Sequence, residues 1–356
     1  MCSSPARLLL LLLAALLLGG CETLGYYAQS AGGQVDLLCR AQDIDSLLHD
    51  AHTDESLKAR LREVQQMRRF AVGQLDLPDN RSYQRYADVE REALVWSVVA
   101  APALQLSPRQ WCYPVIGCAS YRGYFSKAAA QAYAASLEDE GFDVAVEPVP
   151  AYSTLGWFSD PLPSTVIDWP SADLAGLIFH ELAHQRVYAR DDTAFNESYA
   201  SLVEQLGVQR WLAAQDTRQS QARLQDWQRR EIYTAQWLAL LAETRARLAQ
   251  VYQADLPPAR KLAQKRAEFA RLQRDYRALK ASWGGYAGFD RWMQRELNNA
   301  HLASRQSYTR WLTALRRLLQ QVDGDVAVFH RRSEQLAALS LDERARRLRA
   351  LEAAAE

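Results

Sequence analysis

Leu177-Ile178-Phe179-His180-Glu181-Leu182-Ala183-His184 is the stretch around which the rest of this chain arranges itself. On a helix, side chains four apart share a face, so His180 and His184 present two imidazoles at a spacing suited to one metal ion. Glu181 flanks the same place, where it can take a proton from metal-bound water. Leu177, Ile178, Phe179, Leu182 and Ala183 are all apolar. That pattern predicts a buried helix that holds its ligands rigidly. It starts at Ser171, carries Asp173 in its first turn to complement the helix dipole, and runs to about Tyr188. His49, His52, His301 and His330 have no comparable setting and read as surface or packing residues.

A hydrolytic zinc needs a third protein ligand and an open fourth position for water. No histidine follows soon after His184, which argues against the H-E-x-x-H-x-x-G-x-x-H subgroup. Carboxylates do follow. Asp191 and Asp192 fall in a connecting loop, Asn196-Glu197-Ser198-Tyr199-Ala200 opens the next helix, and Glu204 lies seven residues beyond Glu197 on the same face. Glu204 is twenty residues after His184, the spacing of thermolysin-like enzymes. Glu197 is thirteen after, in a context that resembles the Asn-Glu-Gly-Phe-Ala carrying the third ligand in zinc aminopeptidases of the gluzincin group. Loop length varies freely while the helix face must be kept, which favours Glu197. Glu204 stands as the alternative ligand, or as a group orienting a ligand histidine. For the oxyanion of a tetrahedral intermediate, Tyr152 and Tyr199 are the candidate donors. The extended piece from Ala151 to Phe158 is the natural substrate-lining segment, with Gly156 allowing a peptide backbone to come close.

The 42 basic and 42 acidic side chains cancel, so nothing points to nucleic acid as a partner. Near the N-terminus, Arg7 precedes an apolar run from Leu8 to Leu18, too short to span a bilayer of roughly 30 Å and so a signal-peptide core. Leu18-Gly19-Gly20-Cys21 resembles the bacterial lipobox, in which the cysteine becomes the lipidated first residue. Glu22, not an Asp, follows it, and by the same resemblance this points to the outer membrane, facing the periplasm and held by acyl chains. In that oxidising compartment Cys112 and Cys118, flanking a turn-rich stretch, are expected to form a disulfide, leaving Cys39 single.

Periodicity predicts an α+β chain that is predominantly α. Residues 1–20 form the signal peptide, 21–92 an N-terminal helical segment with one helix over Tyr26 to Leu75, 93–210 an α+β metallopeptidase core, and 211–356 a long helical region. Within the core, Leu94 to Val99, Tyr121 to Phe125 and Phe142 to Val149 read as strands, the last at a sheet edge because of Pro148 and Pro150. Ser126 caps a helix over Lys127 to Glu140 that Gly141 ends. Beyond Thr193 nearly everything reads helical, broken at Pro257-Pro258 and Gly284-Gly285, with six tryptophans placed to pack helix on helix.

The chain is similar to the bacterial lipoproteins catalogued as predicted aminopeptidases. Gly25-Tyr26-Tyr27, Trp111 to Phe125, Ala151 to Pro161, the His180 to His184 helix, Thr193 to Ala200 and Leu297-Asn298-Asn299-Ala300 carry the resemblance over nearly all of the mature sequence. It implies a zincin-like core, a Zn²⁺ cofactor and a peptide substrate. One departure stands out. The Gly-x-Met-x-Asn segment that binds the free amine in well-known gluzincin aminopeptidases has no counterpart here, so peptide hydrolysis follows from the site while removal of single N-terminal residues rests on resemblance. An envelope endopeptidase and a metal-stabilised lipoprotein scaffold are the competing readings. Glu181 weighs against the scaffold, because a structural site needs no base.

Overall fold

The computed structural model describes residues 5–113, 117–215 and 217–353, with side chains from residue 23 onward. In chain order the elements are α1 (Pro5–Arg40), β1 (Ala41–Asp43), α2 (Ile44–His49), α3 (Glu55–Leu75), β2 (Arg85–Ala87) and β3 (Val95–Pro102). Next come β4 (Trp111–Tyr113), β5 (Gly117–Ala119), β6 (Arg122–Tyr124), α4 (Lys127–Asp139), β7 (Phe142–Val149) and β8 (Leu162–Pro163). The remainder is helical: α5 (Ser171–Arg186), α6 (Thr193–Ala213), α7 (Arg218–Gln253), α8 (Pro258–Ser282), α9 (Asp290–Met293), α10 (Asn299–Thr309), α11 (Leu312–Gln320), α12 (Val326–Ala337) and α13 (Leu341–Ala353). The fold is thus α+β and mostly α.

The single helix expected over Tyr26 to Leu75 is three helices. Asp43 accepts the backbone N–H groups of Asp45 and Ser46, and Asp54 accepts that of Ser56. Each carboxylate offers the chain an N-cap in place of helix continuation, so new helices begin there. The short strand between α1 and α2 pairs antiparallel with β2, which pairs in parallel with β8.

A second sheet has the order β6-β3-β7, with β3 antiparallel to both neighbours. Its edge position lets β7 carry Pro148 without losing a central hydrogen bond. Between β6 and β7, α4 starts where Ser126 Oγ accepts from the Ala129 amide and ends before Gly141, whose φ of 87° is left-handed. Ala130, Ala134 and Leu137 of α4 pack with Trp96, Val98 and Val144 of the sheet. Ala300 and Ala303 of α10 meet Val99 and Ala145. Across the small β4-β5 ribbon, Cys112 and Cys118 are disulfide-bonded, while Cys39 is a free, exposed thiol.

The segment from Ala151 to Phe158 is not an extended piece. Leu155 and Gly156 are both left-handed, at φ 56° and 81°, so the chain turns there and pairs with no strand. The tip leaves Trp157 and Phe158 exposed.

The main core joins Ile44, Leu61 and Met67, Ile178, Phe179 and Leu182, and Leu315, Phe329 and Leu348. One core therefore draws on all three segments set apart at residues 93 and 211. A second gathers Trp237, Phe269, Leu272, Tyr276, Trp283 and Trp292 from α7 to α9. Trp237 stacks on Phe289 with ring centroids 4.5 Å apart, a contact between helix and loop of the kind aromatic pairs favour. Among the described residues no helix is long and apolar enough to cross a membrane. Cys21 and the apolar run before it lie outside the residues whose side chains are described.

Candidate metal centre

Helices α5 and α6 pack against each other over most of their length, and two glycines make that approach possible. A Cβ on Gly207 would stand 2.5 Å from Phe179 Cδ2 and 2.8 Å from Leu75 Cδ1. On Gly176 it would stand 3.2 Å from Glu204. Because α5 is enclosed by the main core, the unbroken apolar run around its motif lies on every side of the helix, and Ala175, Ile178, Phe179, Leu182 and Ala183 are buried.

The polar residues at the start of α6 each fix one neighbour. Asp192 caps the helix through the Phe195 amide, and its other oxygen lies 3.1 Å from the buried guanidinium of Arg344. Asn196 bonds Ala189 in both directions, accepting from its amide at 2.7 Å and donating to its carbonyl at 2.8 Å. Ser198 accepts from the Trp311 amide and donates to the Ser307 carbonyl, holding the α10–α11 corner. Asp191 accepts from the Cys118 amide, joining the disulfide ribbon to the α5–α6 loop. Glu197, between two structural residues, is the one aimed at α5.

Its Oε2 lies 3.3 Å from His180 Nε2 and 3.7 Å from His184 Nε2. The three donor atoms of His180, His184 and Glu197 all lie within 4.8 Å of one another, in buried surroundings. Two imidazole nitrogens and a carboxylate oxygen converging in this way suit a divalent ion of the zinc type. Glu204 stands elsewhere: its Oε2 is 3.0 Å from His180 Nδ1, the nitrogen facing away from the cluster. A carboxylate there fixes the ring so that Nε2 is the free ligand atom. His184 has no such support, and its Nδ1 is buried without a partner.

Charge in the cluster divides unevenly. Burial lowers the affinity of His180 for a proton, but hydrogen bonds to Glu197 and Glu204 outweigh it and raise its pKa well above the usual value. Burial pushes His184 down to about 4. Desolvation raises Glu197, yet the two histidines more than compensate and hold it ionised. Glu181 rises to about 7, first through burial and then against His180 through the neighbouring carboxylates. A dication in the cluster would draw it down again.

Of the two expected oxyanion donors, neither hydroxyl serves the cluster. Tyr152 donates to Gln34 of α1. The Tyr199 hydroxyl lies 2.7 Å from His330 Nδ1, inside the core, and His330 in turn bonds the Leu75 carbonyl. Tyr199 follows Glu197 by two positions, and on a helix that turns it about 200° away from the metal face. A Cβ added at Gly156 would stand 4.0 Å from Gln185 Oε1, so the loop does reach the end of α5. Gln185 also donates to Asp160 and Ser82 and accepts from Asn80, which anchors both flanking loops to the residue after His184.

Other phenols surround the cluster. The Tyr308 ring of α10 is 6.1 Å from that of His180, and the charge of Glu197 raises its hydroxyl well above the usual range. Tyr121 is raised by burial and then by Glu197, and Tyr188 to about 12 by the same two causes. Tyr121 and Tyr308 keep 40% and 41% of their surface, so both can meet a ligand. Only Tyr188, just past the end of α5, carried a local signal. Tyr308 lies far along the chain from His184, where no spacing rule reaches.

Residues 25–348 match the family described as "Putative aminopeptidase". The chain belongs to that family, and peptidase chemistry is what the family's description gives it. No curated protein and no solved structure matches the chain.

Proposed function

We propose that this chain is a zinc-dependent peptidase of the bacterial cell envelope. The convergence of His180 Nε2, His184 Nε2 and Glu197 Oε2 beside Glu181 carries the reading. His180, His184 and Glu197 would hold the ion, leaving a fourth position open. A zinc ion bound there supplies a Lewis acid that polarises a peptide carbonyl and acidifies water.

The chain's own groups do the rest. Glu181 takes the water's proton on its carboxylate and passes it to the departing amine nitrogen. Glu204 keeps His180 in the required tautomer. Tyr308 or Tyr121, in place of Tyr152 and Tyr199, donates to the carbonyl oxygen as it gains charge. The Leu155–Gly156 turn, joined to Gln185 through Asp160 and Thr154, flanks the peptide.

The N-terminal motif supports lipidation at Cys21 and an outer-membrane site facing the periplasm. Mass spectrometry of the mature N-terminus tests that part separately. For the chemistry, metal analysis is combined with a peptide-library digest of the wild type and Glu181→Gln. Equal turnover in the variant removes the mechanism. Comparing free-amine with blocked peptides distinguishes an aminopeptidase from an endopeptidase.

A further inference from the structure

A cavity of about 520 Å³ lies between α7 and α10, apart from the metal cluster. Leu302, Arg305, Gln306 and Thr309 of α10 share the helix face that lines it, whereas Tyr308, against His180, projects from another. Leu106, Leu241 and Leu302 make its apolar wall.

Three guanidiniums, those of Arg245, Arg305 and Arg310, reach this lining, and no carboxylate does. Two of them have partners outside it: Arg305 lies 3.6 Å from Glu147, and Arg310 is 3.4 Å from Glu352 and stacks over Trp311. Arg245 forms no ion pair among the described residues. Its Nη1 is buried and unpartnered, as is Arg305 Nε. Burial alone draws the Arg245 pKa down to about 10, and no nearby acid opposes it. A cation withdrawn from water without a counter-charge is costly, and buried charges in folded proteins are ordinarily paired. Arg245 is only partly withdrawn from water, but an anion in the cavity would meet its Nη1 and Arg305 Nε together. An inorganic ion would fill only a small part of the space, and apart from Gln306 and Thr309 the rest of the wall is leucine and alanine.

We propose that this cavity binds a free acyl carboxylate, its head group on Arg245 and Arg305 and its unbranched chain along Leu106, Leu241 and Leu302. Bidentate pairing of guanidinium with carboxylate supplies the polar end, and area removed from water the apolar end.

Titration calorimetry of the full chain with dodecanoate below its micellar concentration tests this, with dodecyltrimethylammonium and inorganic phosphate as controls. Saturable binding of dodecanoate at one site is expected, with neither control matching it. Arg245→Gln should weaken dodecanoate at least tenfold while the melting temperature is kept. Ala246→Trp, which fills the cavity from an exposed position of α7, should also remove binding should the first variant fail to fold. The proposal is overturned by absent dodecanoate binding, by equal binding of either control, or by unchanged affinity in a folded Arg245→Gln or Ala246→Trp protein.

Discussion

Glu197 and Glu204 lie on one face of α6, both touch His180, and truncating each should give different results. The side chain of Glu197 is 11% exposed and faces both Nε2 atoms, at 3.3 and 3.7 Å. That of Glu204 is 41% exposed and reaches only Nδ1 of one ring, at 3.0 Å. An outer partner of a metal-ligating histidine contributes roughly 10–100-fold in metal affinity. Solvent screening at Glu204 places it at the lower end, about tenfold or ~1.4 kcal/mol. Glu197→Ala removes one of three ligands and leaves two histidines, so its loss should exceed the ~100-fold upper bound for outer partners. Zinc affinity is measured by competition with a chromophoric chelator on wild type, Glu197→Ala and Glu204→Ala, each checked for folding by circular dichroism. Glu204→Ala should also lower turnover less than it lowers zinc affinity, because saturating zinc restores the site. Should Glu204→Ala lose the metal while Glu197→Ala keeps it, the geometry has been misassigned and the thermolysin-like spacing was the right guide.

Further outcomes follow from other parts of the structure. Glu181→Gln should retain zinc and lose ~10²–10⁴-fold in peptide hydrolysis, the usual range for a general base, as read by single-turnover assay. Gly207→Ala forces a methyl into Phe179 and Leu75. It should lower stability by about 1–3 kcal/mol in urea unfolding and disturb metal binding through the residue before His180. Arg344→Met leaves the Asp192 carboxylate buried and unpaired. A loss of roughly 3–5 kcal/mol is expected, and Arg344→Met/Asp192→Leu should recover much of it. His330 and His301 are held neutral by burial, the second with its pKa near 4. Their folded values lie below the ordinary ~6.5, so their contribution to stability is present above that pH and fades as pH falls toward the folded values. Glu181 and His180, both raised, act in the opposite sense over the same range. The check is therefore the difference: between about pH 7 and pH 5 the melting temperature of His330→Gln should fall less, or rise more, than that of the wild type.

How much of this was legible beforehand depends on whether the signal is local. The His180 to His184 helix was readable because its two imidazoles, the adjacent carboxylate and its apolar surroundings all fall within one helix, where four-residue spacing fixes the face. The strands β3, β6 and β7 and the helix capped by Ser126 were readable for the same reason. The long N-terminal helix was misread where Asp43 and Asp54 compete with continuous apolar periodicity, a contest between capping and propensity that pattern alone does not decide. The stretch from Ala151 to Phe158 looked extended, yet left-handed Leu155 accompanies Gly156 and turns the chain.

By itself the sequence determined the pair of imidazoles, the adjacent carboxylate and a short set of downstream carboxylates. It favoured Glu197 over Glu204 through the context of the Asn-Glu-Ser-Tyr-Ala segment; where each carboxylate stands against His180 depends on how closely α6 approaches α5, which Gly176 and Gly207 set. Only the tertiary structure turned Tyr152 toward Gln34 and Tyr199 toward His330, and brought Tyr308 beside His180 in their place. Spacing along a helix is dictated by its own geometry; which distant phenol stands beside His180 is settled by the packing of whole helices into one core.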